Sequence, residues 1–507
     1  MTENIIEGLS LIFQWEILLV AFLGVTAGVI LGAIPGMSDI PAISLMLPFT
    51  FYMHPVMAIS MLMGLSKGAN MGGSFPAILF NMPGTSQSVV TCFDGYPLTR
   101  KGQAGKALKM AVYASTMADT MSDLVLILAA AAVASIAIMI GPPEFAMIVV
   151  FSLVIIGVAG AEQMVKGLIA ICLGLLLTVV GFDPMSGIER MTFGSLNLSS
   201  GFGIVPMVLG LFVVSEVIRQ TENMVRSRQR NRKVAVEASA VSNDPDDHRV
   251  TKEDFRRCLP AIFGGFGIGA AIGAIPGIGS GVAAYLSYMW AKKSSKTPER
   301  FGHGALEGVA AAEAGNNAVV GPNLIPLLTL GVPGNLVAAL ILGAFMMQGL
   351  RPGPLFMSTN APMIYALFGV LLISNVFTFV VGSIFVRYAR RVTRVPEKIL
   401  YPCVLVVTVV GCYVYRNNMF DVMMLAPFGI AGYVLVKLRI PVAPLLIAFI
   451  LGNMLEERIR QSLQMSGGDF TIFVTRPIAL LFFVLSVVTI VLFVRRRRRV
   501  ILPREDI

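Results

Sequence analysis

The pentapeptide Gly-Ala-Ile-Pro-Gly occurs twice in this chain, at 32–36 and 273–277, and the flanking charge differs between the copies. Residues 1–16 contain no Lys or Arg. The second copy is preceded by Arg219, Arg226, Arg228, Arg230, Arg232, Lys233, Lys252, Arg256 and Arg257. Lys and Arg collect on the cytoplasmic side of a membrane protein, so the two copies are expected to enter a membrane from opposite faces. Gly/Pro-interrupted apolar segments at matching places in two halves of inverted topology are the mark of a secondary transporter.

Further landmarks recur in the same order. Pro76, Pro83 and Gly84 match Pro326, Pro333 and Gly334; Pro143-Glu144 matches Pro396-Glu397; Glu216 to Gln220 resembles Glu457 to Gln461. Loop charges reverse between the halves: Arg100, Lys101, Lys106 and Lys109 face only Arg351, whereas Lys292, Lys293, Lys296 and Arg300 face a neutral loop. The expected arrangement is a first membrane repeat at 1–218, a cytoplasmic basic linker at 219–258, a second, inverted repeat at 259–477, and an extra transmembrane helix with an Arg-rich tail at 478–507. The N-terminus is expected outside and the C-terminus inside. The loop with Arg458, Arg460 and Arg476 is placed outside against the charge rule, because the last span must end at Arg495–Arg499.

Composition fits that reading. The chain is 56% hydrophobic and 13% charged, against about 25% charged in soluble domains. Apolar runs near 20 residues recur, so an all-α polytopic membrane protein with about 10–14 membrane segments is expected. The net charge of +10 sits largely at the ends of apolar runs, where it orients helices and touches anionic membrane lipid; nucleic acid is not an expected partner. The five cysteines lack metal or redox spacing, and the run 17–34 reads as a retained helix rather than a signal peptide. His54, His248 and His303 are isolated. With no Walker loop, His-Glu-x-x-His or nucleophile elbow, neither an enzyme nor an ATP-driven pump is expected.

Segments 24–104 and 265–355 are broken by Gly and Pro; the other apolar runs are plain. Irregular backbone survives in lipid only when buried in protein or lining a wet cavity. The broken segments, including re-entrant hairpins, are therefore expected to form the site and the plain helices a frame. An elevator-like motion of 24–120 and 265–355 as a unit follows. Each break exposes helix carbonyls, which suit Na⁺, and helix N–H groups, which suit a carboxylate. The candidate substrate and ion residues at the first pair of breaks are Pro35, Gly36, Ser38 and Asp39, with Pro276, Gly277, Gly279 and Ser280. At the second pair they are Asn81, Pro83, Gly84, Thr85 and Ser86, with Thr329, Pro333, Gly334 and Asn335. Asn70, Glu313, Asn316 and Asn317 add polar groups nearby. Two readings of Lys67 stay open: a structural pair with Asp39, or a countercharge for an anionic substrate. Asp119 and Asp123 share a helix face, expected to be solvated near the cytoplasm.

These blocks resemble the large membrane subunit of tripartite tricarboxylate transporters. The resemblance rests on 32–41, 72–74, 81–85, 94–98 with 101–105, 273–280, 298–302, 313–317, 326–334 and 349–355. It implies a secondary, Na⁺-coupled importer of organic carboxylates in a bacterial inner membrane, with H⁺ as the other coupling ion and no cofactor. It also implies a small integral-membrane subunit and a periplasmic substrate-binding protein as partners; dimerisation stays open. Ser38-Asp39 and Ser66-Lys67 depart from the family's usual residues, so citrate cannot be assumed. The alternatives are a stand-alone carboxylate carrier and an intramembrane enzyme.

Overall fold

A computed structural model describes residues 2–34, 37–137, 139–159, 164–229, 249–392 and 397–501. Pro35 and Gly36, Pro396, and linker residues 230–248 lie outside it. The described residues are helical almost throughout; their one sheet is a short hairpin, Gly181–Phe182 with Glu189–Arg190. The chain is an all-α polytopic membrane protein.

The first half runs α1 (Thr2–Ile12), α2 (Trp15–Gly32), α3 (Asp39–Thr50), α4 (Pro55–Gly72), α5 (Ser74–Phe80), a 3₁₀ turn Ser86–Val89, α6 (Cys92–Arg100), α7 (Ala104–Ala137), α8 (Pro142–Ala159), α9 (Met164–Thr178) and α10 (204–229, π-helical over Leu209–Val214). The second half runs α11 (Lys252–Gly273), α12 (Ser280–Ser294), α13 (Leu306–Asn317), α14 (Val320–Leu330), α15 (Leu336–Met347), α16 (Ala361–Val392), α17 (Glu397–Arg416), α18 (Met419–Lys437), α19 (Val442–Met465) and α20 (Pro477–Ile501). The order α2–α10 is therefore repeated by α11–α19. Packing repeats too: α2 lies on α4 and α11 on α13, while α7 crosses to α13 and α16 to α4. Helices α9 and α18 likewise cross to α19 and α10.

Seven of these helices are long and apolar enough to cross a membrane, and α3, α8, α9 and α15 are shorter apolar helices. Their starts follow from the chain. Pro55, Pro142 and Pro477 occupy first helical positions, where the missing N–H is no loss. Thr251 and Asp254 form a reciprocal capping box at the start of α11.

Glycines at four-residue spacing set the closest contacts. A Cβ on Gly24, Gly28 or Gly32 of α2 would stand 2.2–2.4 Å from a backbone oxygen of α4, and Gly64, Gly68 and Gly72 of α4 return the contact to α2 at 2.2–2.8 Å. In the second half Gly265, Gly269 and Gly273 play this part against α13 and Val319. Small residues at this spacing let membrane helices meet backbone to backbone. The pattern precedes each Gly-Ala-Ile-Pro-Gly copy in the sequence, and only the pentapeptide had drawn attention there.

Two expectations need correction. The edge drawn at residue 120 falls inside α7, an unbroken 34-residue helix; it contains no Pro, and its only Gly is near the start, so nothing interrupts it. Asp119 and Asp123 are 2% and 0% exposed, so their face is interior, not solvated. Within the stretch 219–258, α10 extends to Gln229 and α11 begins at Lys252.

Candidate functional site

A cavity of about 500 Å³ lies where the breaks of the two halves converge. The first half lines it with Asp39 from the start of α3, Ser66 and Asn70 from α4, and Ser86 and Gln87 from the 3₁₀ turn. The second half supplies Gly279, Ser280 and Gly281 at the start of α12, Asn323 from α14, and Asn335 at the start of α15. The volume falls in the 300–1,000 Å³ range of small-molecule sites. Its walls otherwise carry apolar side chains such as Met63, Leu336, Ile341 and Leu371.

The breaks pack crosswise. Helix α3 packs on α15, and α12 on the Ser86–Val89 turn. Within each half the two breaks also touch. The N–H of Gly277 donates to the Gly334 carbonyl at 2.7 Å, with Gly277 at φ +88°. A Cβ on Gly84 would stand 2.2 Å from the Gly32 carbonyl oxygen. These glycines therefore permit close backbone contacts that a side chain would prevent.

Charge in the cavity is uneven. Among the described residues Asp39 is its sole ionisable lining residue, held by the N–H of Ile40 at 3.1 Å and by Gln87 Nε2 at 2.9 Å. On the same cavity, α12 begins without a side-chain cap, so its first N–H groups remain available to an anion. Asn335 accepts from the Ala338 N–H at 2.9 Å and caps α15. Asn70 donates to Asn317 at 3.2 Å, and its Oδ1 is buried without a partner.

Other candidates lie elsewhere. Lys67 does not reach Asp39: its ammonium lies 2.8 Å from both Asp119 and Asp123 and donates to Asn375 at 2.9 Å. The proposed Asp39–Lys67 pair is thus absent, and Lys67 does not line the cavity. Glu313 is fully buried behind the wall, accepting from Ser74 at 2.6 Å, from Ser115 at 2.9 Å, and from Thr91. Asn317 joins that network through Ser115 and the Glu313 carbonyl, both at 2.9 Å. Neither side-chain polar atom of buried Asn316 has a partner.

Several candidates serve the backbone instead. Thr329 bonds back to Ile325, Thr85 meets Ser88, and exposed Asn81 ends α5 in a left-handed conformation at φ 55°. Ser38 precedes α3 without capping it by its side chain. Pro83, Pro276 and Pro333 shape the turns without lining the cavity. Ser66, singled out with Lys67 in the sequence, and Gly281, beside Ser280, line the cavity too, while Gln87 and Asn323 line it without having been expected from the sequence.

The comparisons agree with this architecture. Residues 18–447 match the tripartite tricarboxylate transporter TctA family. An uncharacterized 52.8 kDa protein from the TAR-I ttuC' 3' region of Agrobacterium vitis is 39% identical over 512 residues, covering 99% of this chain and all of that protein. An uncharacterized protein from the TAR-II ttuC' 3' region of the same organism is 38% identical over 242 residues, 47% of this chain and all of that protein. No solved structure matches. With the match running through both halves and both sets of breaks, the chain belongs to the tripartite tricarboxylate transporter TctA family.

Proposed function

We propose that this chain is the carrier subunit of a secondary importer of small organic carboxylates, coupled to Na⁺ or H⁺. A periplasmic binding protein feeds it and a small membrane subunit completes it. The observation that carries the reading is the cavity, which a carboxylate side chain and an uncapped helix start line together. A substrate carboxylate suits the N–H side. Asp39 repels that substrate unless a cation or proton accompanies it, which links loading to the coupling ion wherever that ion binds.

The repeated element order and reversed loop charge support two repeats of opposite orientation in the inner membrane, N-terminus periplasmic and C-terminus cytoplasmic. The crosswise packing supports a site-bearing unit, α2–α6 with α11–α15, moving against α8–α10 and α17–α19. A neutral cavity wall with one carboxylate supports transport rather than catalysis.

Uptake of labelled citrate and a panel of dicarboxylates into vesicles holding this chain and both partners tests the reading. Cation-dependent accumulation of at least one acid, lost when the binding protein is omitted, is expected. Accumulation that ignores both Na⁺ and pH gradients would overturn the coupling. Uptake undiminished without the binding protein would favour a stand-alone carrier.

A further inference from the structure

Helix α4 lines the cavity with Met63, Ser66 and Asn70, while Lys67, between them, turns to the other side. There Lys67 meets Asp119 and Asp123 of α7 at 2.8 Å each and Asn375 of α16 at 2.9 Å. Asn375 also donates to Asp123 at 2.7 Å. The side chains of Lys67 and Asp123 are 0% exposed and that of Asp119 is 3% exposed. Asp119 and Asn375 sit near the middle of the apolar stretches Ala104–Ala130 and Ala361–Tyr388, which places the cluster near mid-membrane. Leu371, one turn before Asn375, is itself cavity wall. The cluster is thus one helical turn from the substrate space along two helices.

Its charges do not balance. One ammonium faces two carboxylates, and an uncompensated charge at this depth is expensive. Among the described residues no second Lys or Arg pairs with these carboxylates, and on the surrounding helices Arg257 of α11 pairs with Glu307 of α13. Glu313 of α13 is held by Ser74, Thr91 and Ser115; α5, α14 and α15 carry no titratable residue. On α11, Asp254 pairs with Lys106 at the far end of α7, and on α6, Asp94 accepts from the N–H groups of Gly302, Gly304 and Ala305. Glu16 and Asp39 stand at the starts of α2 and α3, and Arg387 and Tyr388 near the end of α16. Asp123 Oδ1 is buried with no hydrogen-bond partner.

We propose that the Lys67–Asp119–Asp123 cluster is the coupling-proton site. One proton binds a carboxylate oxygen of the aspartate pair, forming an O–H bond and bringing the cluster from one negative charge to neutrality. The same proton leaves to water on the inner side. This rests on the carrier reading above and narrows its coupling ion to H⁺.

Infrared difference spectroscopy of the full chain in lipid nanodiscs, between alkaline and acid buffer, tests the site without any substrate. A protonated-carboxyl band is expected in the parent chain and in Glu313→Gln and Asp39→Asn. It should vanish in Asp119→Asn/Asp123→Asn, whose amides keep the shape and a hydrogen-bonding oxygen. A band surviving in that double variant, or missing from the parent, overturns the proposal.

In vesicles with both partners and citrate as probe, Asp123→Asn should retain citrate exchange. It should lose the roughly tenfold accumulation that a one-unit pH gradient supports for one proton, and Asp123→Glu should restore it. Proton-driven accumulation at the parent level in Asp123→Asn overturns the proposal. Parent vesicles that move no acid sink the carrier reading, while the infrared result still decides the proton site.

Discussion

The two halves share a backbone plan and differ in what they hang on it. At the first break the first half puts Asp39 and the second half puts Ser280 and two cavity-lining glycines. Lys67 stands as far before Pro76 as Asn317 stands before Pro326. The first half places a cation there, in a cluster with two aspartates, and the second places an amide, in the hydroxyl network around Glu313. The lesson is a division of labour: repeated backbone builds the cavity, and an unrepeated side chain, Asp39, sets its charge apart from the N–H groups at the start of α12.

Four measurements can break or sharpen this contrast. The largest effects on uptake should come from the shared scaffold. Gly84→Leu and Gly334→Leu press a side chain against the Gly32 carbonyl and against Asn323. Each should cost about 1–3 kcal/mol or more and abolish uptake. Normal uptake in either variant would show that the backbone plan is not equally needed in both halves.

Next come the buried partners. Lys67→Met leaves two uncompensated carboxylates and should cost about 3–5 kcal/mol, as for other broken buried pairs. Asn317→Ala should cost about 1–3 kcal/mol for the groups it orphans. Thermal unfolding in detergent measures both. Adding Asp39→Asn to Lys67→Met should give additive loss, because the two residues share no partner; rescue would restore the direct pair that the geometry lacks.

Third, Asp39→Asn should weaken the cation's effect on substrate affinity by about 5–150-fold while leaving anion binding. Ser280→Pro keeps a first-position helix geometry but deletes one N–H. It should lower anion affinity about tenfold or more, the weight of a hydrogen bond to a charged group. Titration of substrate at several cation concentrations separates them, and identical profiles would erase the two-sided cavity.

The smallest effect concerns the loop after α9. Hydrogen bonds from the N–H groups of Ser186 and Met185, and then Arg460, hold Asp183 below the usual carboxylate range. A lowered native value means that its stabilisation is present above the ordinary Asp range and is lost as pH falls through it. Asp183→Asn should flatten the acid side of the stability profile. An unchanged profile would remove this loop from the account.

Legibility followed the range of the interaction. The breaks were readable because Pro and Gly act through local φ and N–H chemistry, and the same holds for the frame helices, whose apolar runs are continuous. Gln87 and Asn323 were not, because only the tertiary meeting of α3, α12 and the Ser86–Val89 turn makes them cavity wall. Asp119 and Asp123 were misjudged as a solvated stripe. A signal was there: two acids and a lysine in otherwise apolar helices must find each other to avoid isolated charge. Glu313 was legible as a polar group near the breaks, but its three hydroxyl donors come from α5, the segment before α6, and α7, which local pattern cannot assemble.

The glycine seam between α2 and α4 has a mechanical meaning. Backbone oxygens there stand 2.2–2.8 Å from where a Cβ would be, so sliding one helix by a single residue would drive Val25 or Val29 into its neighbour's main chain. The joint has no intermediate notch. Helices α2 and α4 must travel as one plank, and whatever opens the cavity to either face has to hinge or shear somewhere other than along this seam.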